Sequence, residues 1–119
     1  MTMRTLTKKE EVIMDHFWNN GPLFVRDLRK LYPEPKPHFN TLSGQVRTLE
    51  ADGFIGHVSY GPVYQYHAII TRDEYNSSVL TGVVNKLFGS SYLSAVSSLI
   101  REEKITVEDL RELISKIEQ

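Results

Sequence analysis

The chain has 119 residues, room for one ordinary domain or two very small ones, and its 40% apolar and 24% charged content is that of a globular rather than a disordered protein. It has no cysteine, which excludes disulfides and thiolate metal sites. No run nears the roughly 20 apolar residues that span a bilayer, and Met1-Thr2-Met3-Arg4-Thr5-Leu6 lacks the apolar core of a signal peptide, so a cytoplasmic protein without membrane insertion is expected.

A net charge of -1 weighs against nucleic-acid binding, because neutralising phosphates takes clustered Lys and Arg. The charge is unevenly spread, however. Residues 1–70 carry Arg4, Lys8, Lys9, Arg26, Arg29, Lys30, Lys36 and Arg47 against seven acids, whereas residues 71–119 carry six bases against eight acids.

Three hydroxyl-x-x-carboxylate sequences, Thr7 to Glu10, Thr71 to Glu74 and Thr106 to Asp109, mark helix starts, since each side chain can satisfy a backbone donor of the other residue. Behind Thr7, the helically spaced Val12, Ile13, Phe17 and Trp18 run to Gly21-Pro22, which predicts a first helix near 8–20. Val25, Leu28, Leu31 and Tyr32 support a short second helix over about 24–32. Pro33, Pro35 and Pro37 then read as a stiff extended connector, each removing a donor and pushing its predecessor out of the helical region.

A third helix begins near His38 or Phe39, carries Leu42, Val46 and Leu49 as a buried stripe, and ends at Gly53. From Phe54 the period changes to two: residues 54–59 and 63–68 read as short strands joined by a turn at Tyr60-Gly61-Pro62. Three helices and a hairpin are the element order of a winged helix.

Residues 71–119 read as three amphipathic helices. They lie near 72–88 with Tyr75, Val79, Val83 and Leu87, near 91–103 with Leu93, Val96, Leu99 and Ile100, and near 107–118 with Leu110, Leu113, Ile114 and Ile117. Roughly 45 residues are too few to cover three apolar stripes alone. A second copy is the simplest cover, so these residues are the expected dimerisation surface of a homodimer. The expected architecture is mainly α with a small β-hairpin: a winged helix-turn-helix DNA-binding domain over 1–70 and a helical dimerisation domain over 71–119.

In a helix-turn-helix the second of the two helices enters the major groove. Here that helix would turn Asn40, Ser43, Gly44 and Arg47 outward, flanked by Thr41, Gln45 and Thr48. Asn and Gln can bond adenine bidentately, Arg can bond guanine, and Thr can touch a thymine methyl. The bland alternative is a solvated polar face. Phosphate contacts are expected from Lys8, Lys9, Arg29 and Lys36, from His38 at the helix start, and from Ser59, Tyr60 and Tyr64 of a wing whose tip carries no basic residue. His16, His38, His57 and His67 lack the close pairing of zinc ligands, so no metal or other cofactor is expected. No nucleophile motif such as G-x-S-x-G is present, and no enzymatic activity is expected. The competing reading is a winged-helix module that binds a protein instead of DNA.

Taken in order, Leu6-Thr7-Lys8-Lys9-Glu10, Trp18-Asn19-Asn20-Gly21-Pro22-Leu23, Phe39-Asn40-Thr41-Leu42, Leu49-Glu50-Ala51-Asp52-Gly53-Phe54-Ile55, Thr71-Arg72-Asp73-Glu74-Tyr75 and Thr106-Val107-Glu108-Asp109-Leu110-Arg111-Glu112-Leu113 resemble the penicillinase repressor family. The resemblance implies a dimeric transcriptional repressor that binds a palindromic operator through winged helices, dimerises through its C-terminal helices, and is inactivated by a protease or sensor. The family's cleaved Asn-Phe bond aligns with Ser98-Leu99, which lacks that pattern, and the cysteines of its copper-responsive branch have no counterpart. Tyr60-Gly61-Pro62-Val63 also departs from the family's basic wing.

Overall fold

The computed structural model describes residues 3–89 and 91–118. The chain divides into two compact units, residues 3–77 and residues 78–119.

In the first unit, α1 (Lys8–Asn20) starts on the full capping box: the Glu10 amide donates to Thr7 Oγ1 at 3.2 Å and the Thr7 amide donates to Glu10 Oε1 at 2.9 Å. Gly21 stops it at φ 79°, a left-handed backbone that favours glycine, and its amide closes on the Phe17 carbonyl at 2.9 Å. The buried face is Ile13, Met14 and Phe17. Val12, on the expected stripe, is exposed, and Met14 takes its place.

Glu10 is buried as well, because the segment before α1 folds back and Arg4 grips its carboxylate with both guanidinium ends, Nη1 at 2.8 Å and Nη2 at 2.7 Å. Arg4 Nε reaches Asp52 at 2.7 Å, so one arginine ties the chain start to the end of the third helix. The Arg4 hydrogen bonds outweigh the burial that opposes them and hold the Glu10 carboxyl at about 2, against an ordinary 4.5. A depressed carboxyl pKa stabilises the fold fully above about pH 4.5, and that contribution drains away as pH falls toward 2. Glu10→Gln should therefore flatten the acid limb of stability between these values. At neutral pH it should cost on the order of 2 kcal/mol, the partly exposed Arg4 being screened by water. Glutamine can still close the capping box, so urea unfolding at pH 7 and pH 3 reads the charge alone; an unchanged acid slope would show that the pair contributes nothing.

The next element is β1 (Leu23–Phe24), a two-residue strand too short to leave a periodic signal. It makes the sheet three-stranded where a bare hairpin was expected, in the order β1-β3-β2. α2 (Val25–Lys30) buries Val25 and Leu28 and is shorter than the predicted 24–32. The proline connector bends at a cis Glu34–Pro35 bond and is not extended throughout. α3 (Phe39–Ala51) packs on the core through Leu42, Val46 and Leu49, all completely buried. Each such side chain stabilises the fold by roughly 1.5–3 kcal/mol relative to exposure.

The hairpin is β2 (Ile55–Tyr60) and β3 (Val63–Ala68), antiparallel, with Ile55 opposite Ala68 and Tyr60 opposite Val63. Gly61, at φ 60°, takes the first central position of the two-residue turn and Pro62 the second, the arrangement that matches strand twist in a tight hairpin. β1 pairs with β3 through Leu23 with Tyr66 and Phe24 with Gln65. The result is a winged helix-turn-helix.

α4 (Arg72–Leu87) opens on the second capping box, and its first turn belongs to the first unit. Tyr75, expected on the dimerisation surface, is instead only 6% exposed. Its hydroxyl accepts the Leu6 amide at 2.9 Å and its ring packs beside Trp18 and Phe54. Arg72 reinforces this attachment, donating to Asn19 at 2.8 Å and lying over the Trp18 ring.

In the second unit, α5 (Tyr92–Arg101) is capped by Ser91 and ends two residues before the predicted limit, where Glu103 turns to φ 58°. α6 (Val107–Glu118) starts on the third capping box, the Asp109 amide donating to Thr106 Oγ1 at 3.0 Å. Among the described residues of this unit Val84 is the only buried apolar side chain. Of the expected clamp, Val79, Val96, Ile100 and Leu110 are half-buried, while Val83, Leu87, Leu93, Leu99, Leu113, Ile114 and Ile117 are exposed. Leu80 and Tyr92, which the helical pattern did not single out, are exposed with them.

Candidate nucleic-acid interface

With Leu42, Val46 and Leu49 against the core, the remaining faces of α3 are fixed by helix geometry. Asn40 and Thr41 in its first turn are exposed, as are Arg47 and Thr48 further along; Ser43, Gly44 and Gln45 are half-buried beside them. Among the described residues Asn40 and Arg47 have no hydrogen-bond or ion-pair partner, so both are free to meet a ligand. Thr48 is different. Its hydroxyl donates to the Gly44 carbonyl at 3.1 Å, which turns it onto its own helix and leaves its methyl as the outward group. At Gly44 an added Cβ would meet nothing nearer than the Arg47 guanidinium at 3.9 Å, so the core does not require glycine there.

The expected phosphate contacts separate into two groups. Lys8 and Lys9, in the first turn of α1, are exposed and unpaired among the described residues. Lys9 borders the same hollow as Thr41 and Gln45, which sets an α1 cation beside the start of α3. Lys36, by contrast, donates to the backbone carbonyls of Lys30 and Tyr32, closing the end of α2, and Arg29 Nε donates to the Pro37 carbonyl at 2.7 Å. Both are tethered to the connector between the helices, where their first job is to brace the turn. His38 stands at the N-cap of α3 without a side-chain capping bond, leaving the first amides of that helix uncapped by it.

On the wing, Ser59, Tyr60 and Tyr64 are exposed. Tyr60 meets the Phe24 edge at 5.9 Å between ring centres, and Tyr64 stacks on His57 at 4.1 Å with the rings nearly parallel. His57 Nδ1 also pairs with Glu50 near the end of α3, so the wing strand is anchored to the reading helix. Neither the His57 anchor nor Arg26 was singled out from sequence. Arg26 is the second residue of α2, exposed and unpaired among the described residues.

Ion pairing also shows which cations of this near-neutral chain are left for a ligand. Five of the seven acids in residues 1–70 are engaged: Glu10 and Asp52 by Arg4, Asp27 by Lys30, Glu50 by His57 and Asp15 by Arg72. Lys8, Lys9, Arg26 and Arg47 are left without acidic partners among the described residues. What an approaching phosphate meets depends on where the unpaired cations stand and not on the formal total alone.

Among the described residues no group of three or more His, Asp or Glu is placed to hold a metal ion, and no helix is long and apolar enough to cross a membrane. The chain is similar in fold to a solved ArsR-like transcriptional regulator from Rhodococcus sp. RHA1, with a TM-score of 0.51 and 15% identity over 80% of this chain and 81% of that one. No curated protein matches it. The family model described as penicillinase repressor matches residues 6–119, and the chain belongs to that family of DNA-binding transcription regulators.

Proposed function

We propose that the chain represses transcription as a homodimer, its two α3 helices entering successive major grooves of a palindromic operator about one DNA turn apart. The observation that carries this reading is the outward polar ridge of α3, with Asn40 and Arg47 exposed and unpartnered while the apolar stripe behind them is wholly buried. Asn40, Thr41, Ser43, Gln45 and Arg47 are assigned to the base edges, with Thr48 offering a methyl. Lys8, Lys9, Arg26 and the amides at the start of α3 are assigned to phosphates. The residues from Ser78 onward are assigned to dimerisation because they leave so much apolar surface uncovered: Leu93 is 84% and Ile117 is 74% exposed. The reading domain would extend to Ser77, past the boundary at residue 70 expected from sequence, with Tyr75 in its core, and the clamp would begin at Ser78. The protein would act inside the cell, where DNA is found.

Selection of genomic fragments by the purified protein tests the class directly. A two-fold symmetric consensus is expected; fragments without a shared half-site would sink the proposal. Arg47→Ala should reduce discrimination at one base position of each half-site by about 1 to 3 kcal/mol while leaving nonspecific binding nearly unchanged. An unaltered specificity ratio would remove Arg47 from base reading.

One observation favours a rival. The wing exposes Val58, Tyr60, Val63 and Tyr64 and no cation, a surface suited to a protein partner. A salt series divides the readings, because affinity for a DNA backbone falls steeply with added salt and a largely apolar protein contact does not.

A further inference from the structure

Between the start of α2, the start of α3 and the wing lies a cleft of about 560 Å³. Phe24 and Phe39 belong to its lining, and Val63, Tyr64 and Tyr66 come to it from the wing. Arg26 is the single charged residue in the lining, and no acid borders the cleft among the described residues. Organic ligands are held by cavities of roughly 300–1,000 Å³ with apolar walls and a few convergent polar groups. This cleft meets that description on size, on its aromatic lining, and on one cation without an acidic partner among the described residues. Phe39 is half exposed at the opening of α3 although it is the kind of residue that a core would normally take up. Its placement is accounted for if the ring is a wall for something else.

We infer that the cleft is a binding site for a small aromatic carboxylate, whose ring lies among Phe24, Phe39 and Tyr64 and whose charge meets Arg26. Aromatic faces and edges favour an inserted ring over a flexible chain. The planar guanidinium can take a carboxylate bidentately, so an acid is preferred over its neutral amide. Arg26 and the start of α3, which border the cleft, are among the groups assigned to DNA phosphates, so a bound acid and an operator exclude one another. That second half rests on the repressor reading; the binding site itself does not.

The test uses the full chain with naphthalene-2-carboxylate and naphthalene-2-carboxamide as probes, followed by NMR amide shifts without DNA. Saturable shifts confined to the cleft are expected, with the acid bound at least tenfold more tightly than the amide and this preference lost in Arg26→Gln. No saturation, equal binding of acid and amide, or shifts centred on the exposed faces of α5 and α6 would overturn the site. A second measurement adds each probe to a preformed complex with a selected operator. Release by the acid and not by the amide is expected; an acid that binds the cleft without releasing DNA overturns the competition. Failure to bind any DNA before a probe is added would count against the repressor reading, leaving the shifts to decide the site.

Discussion

Ile117→Asp, or Leu113→Asp on the same helix, is expected to lower affinity for a two-half-site operator at least a hundredfold without altering the winged-helix unit. Leu113 is 53% and Ile117 74% exposed in the single chain, so replacing either, Ile117 above all, removes little packing that the chain makes with itself. A carboxylate there faces water in a monomer, at little cost. In a dimer it would be buried against an apolar partner surface without a counter-charge, which costs several kcal/mol and dissociates the pair. Dissociation matters because the second half-site contact of a linked pair is intramolecular, and avidity of this kind adds roughly 10² to 10⁴ to affinity with no new contact. Sedimentation should show the variants as monomers, and anisotropy should show the loss on a full operator but not on a single half-site. A monomeric variant with full affinity would mean that one reading head suffices and that the exposed helices serve something else.

What could be read from the sequence was whatever depends on near neighbours. The capping boxes at Thr7, Thr71 and Thr106 form in the structure with both bonds in place, because each needs only residues three apart. The α3 stripe is equally local, and Leu42, Val46 and Leu49 are all buried as their spacing requires. Contacts between distant residues were not legible. Tyr75 has the right spacing for an α4 stripe, yet its hydroxyl is claimed by the Leu6 amide, 69 residues away, and this assigns it to the reading unit. Arg4 resembled any other cation until the fold brought Glu10 and Asp52 to it. Lys36 and Arg29 had the charge of phosphate ligands, but the prolines bend the connector so that backbone carbonyls come within their reach. β1 needs its partner β3 to exist at all, and two residues hold no period.

Those distant contacts also decide which α3 substitutions can be interpreted, and Gly44 is the most informative of them. It sits in the interior of α3, where glycine costs about 1 kcal/mol of helix stability relative to alanine. The space beside it is open enough for a Cβ at ordinary contact distance. Gly44→Ala should therefore raise the stability of the winged-helix unit by about 1 kcal/mol, and Gly44→Glu should also be tolerated. Binding should move the other way. If the backbone of α3 approaches the base edges at this point, a methyl group weakens the complex. A carboxylate beside Arg47 does far more, because it both neutralises that cation and faces the phosphates; like-charge placement in an interface costs roughly several kcal/mol, enough for a loss of 10² or more in affinity. Thermal melting and operator titration on the same samples give both quantities. A Gly44→Glu protein that stays folded and binds as before would show that this face of α3 never meets DNA, whereas higher melting with weakened binding in Gly44→Ala, which adds only a methyl, would locate the closest approach at a residue that the fold itself has no reason to keep small.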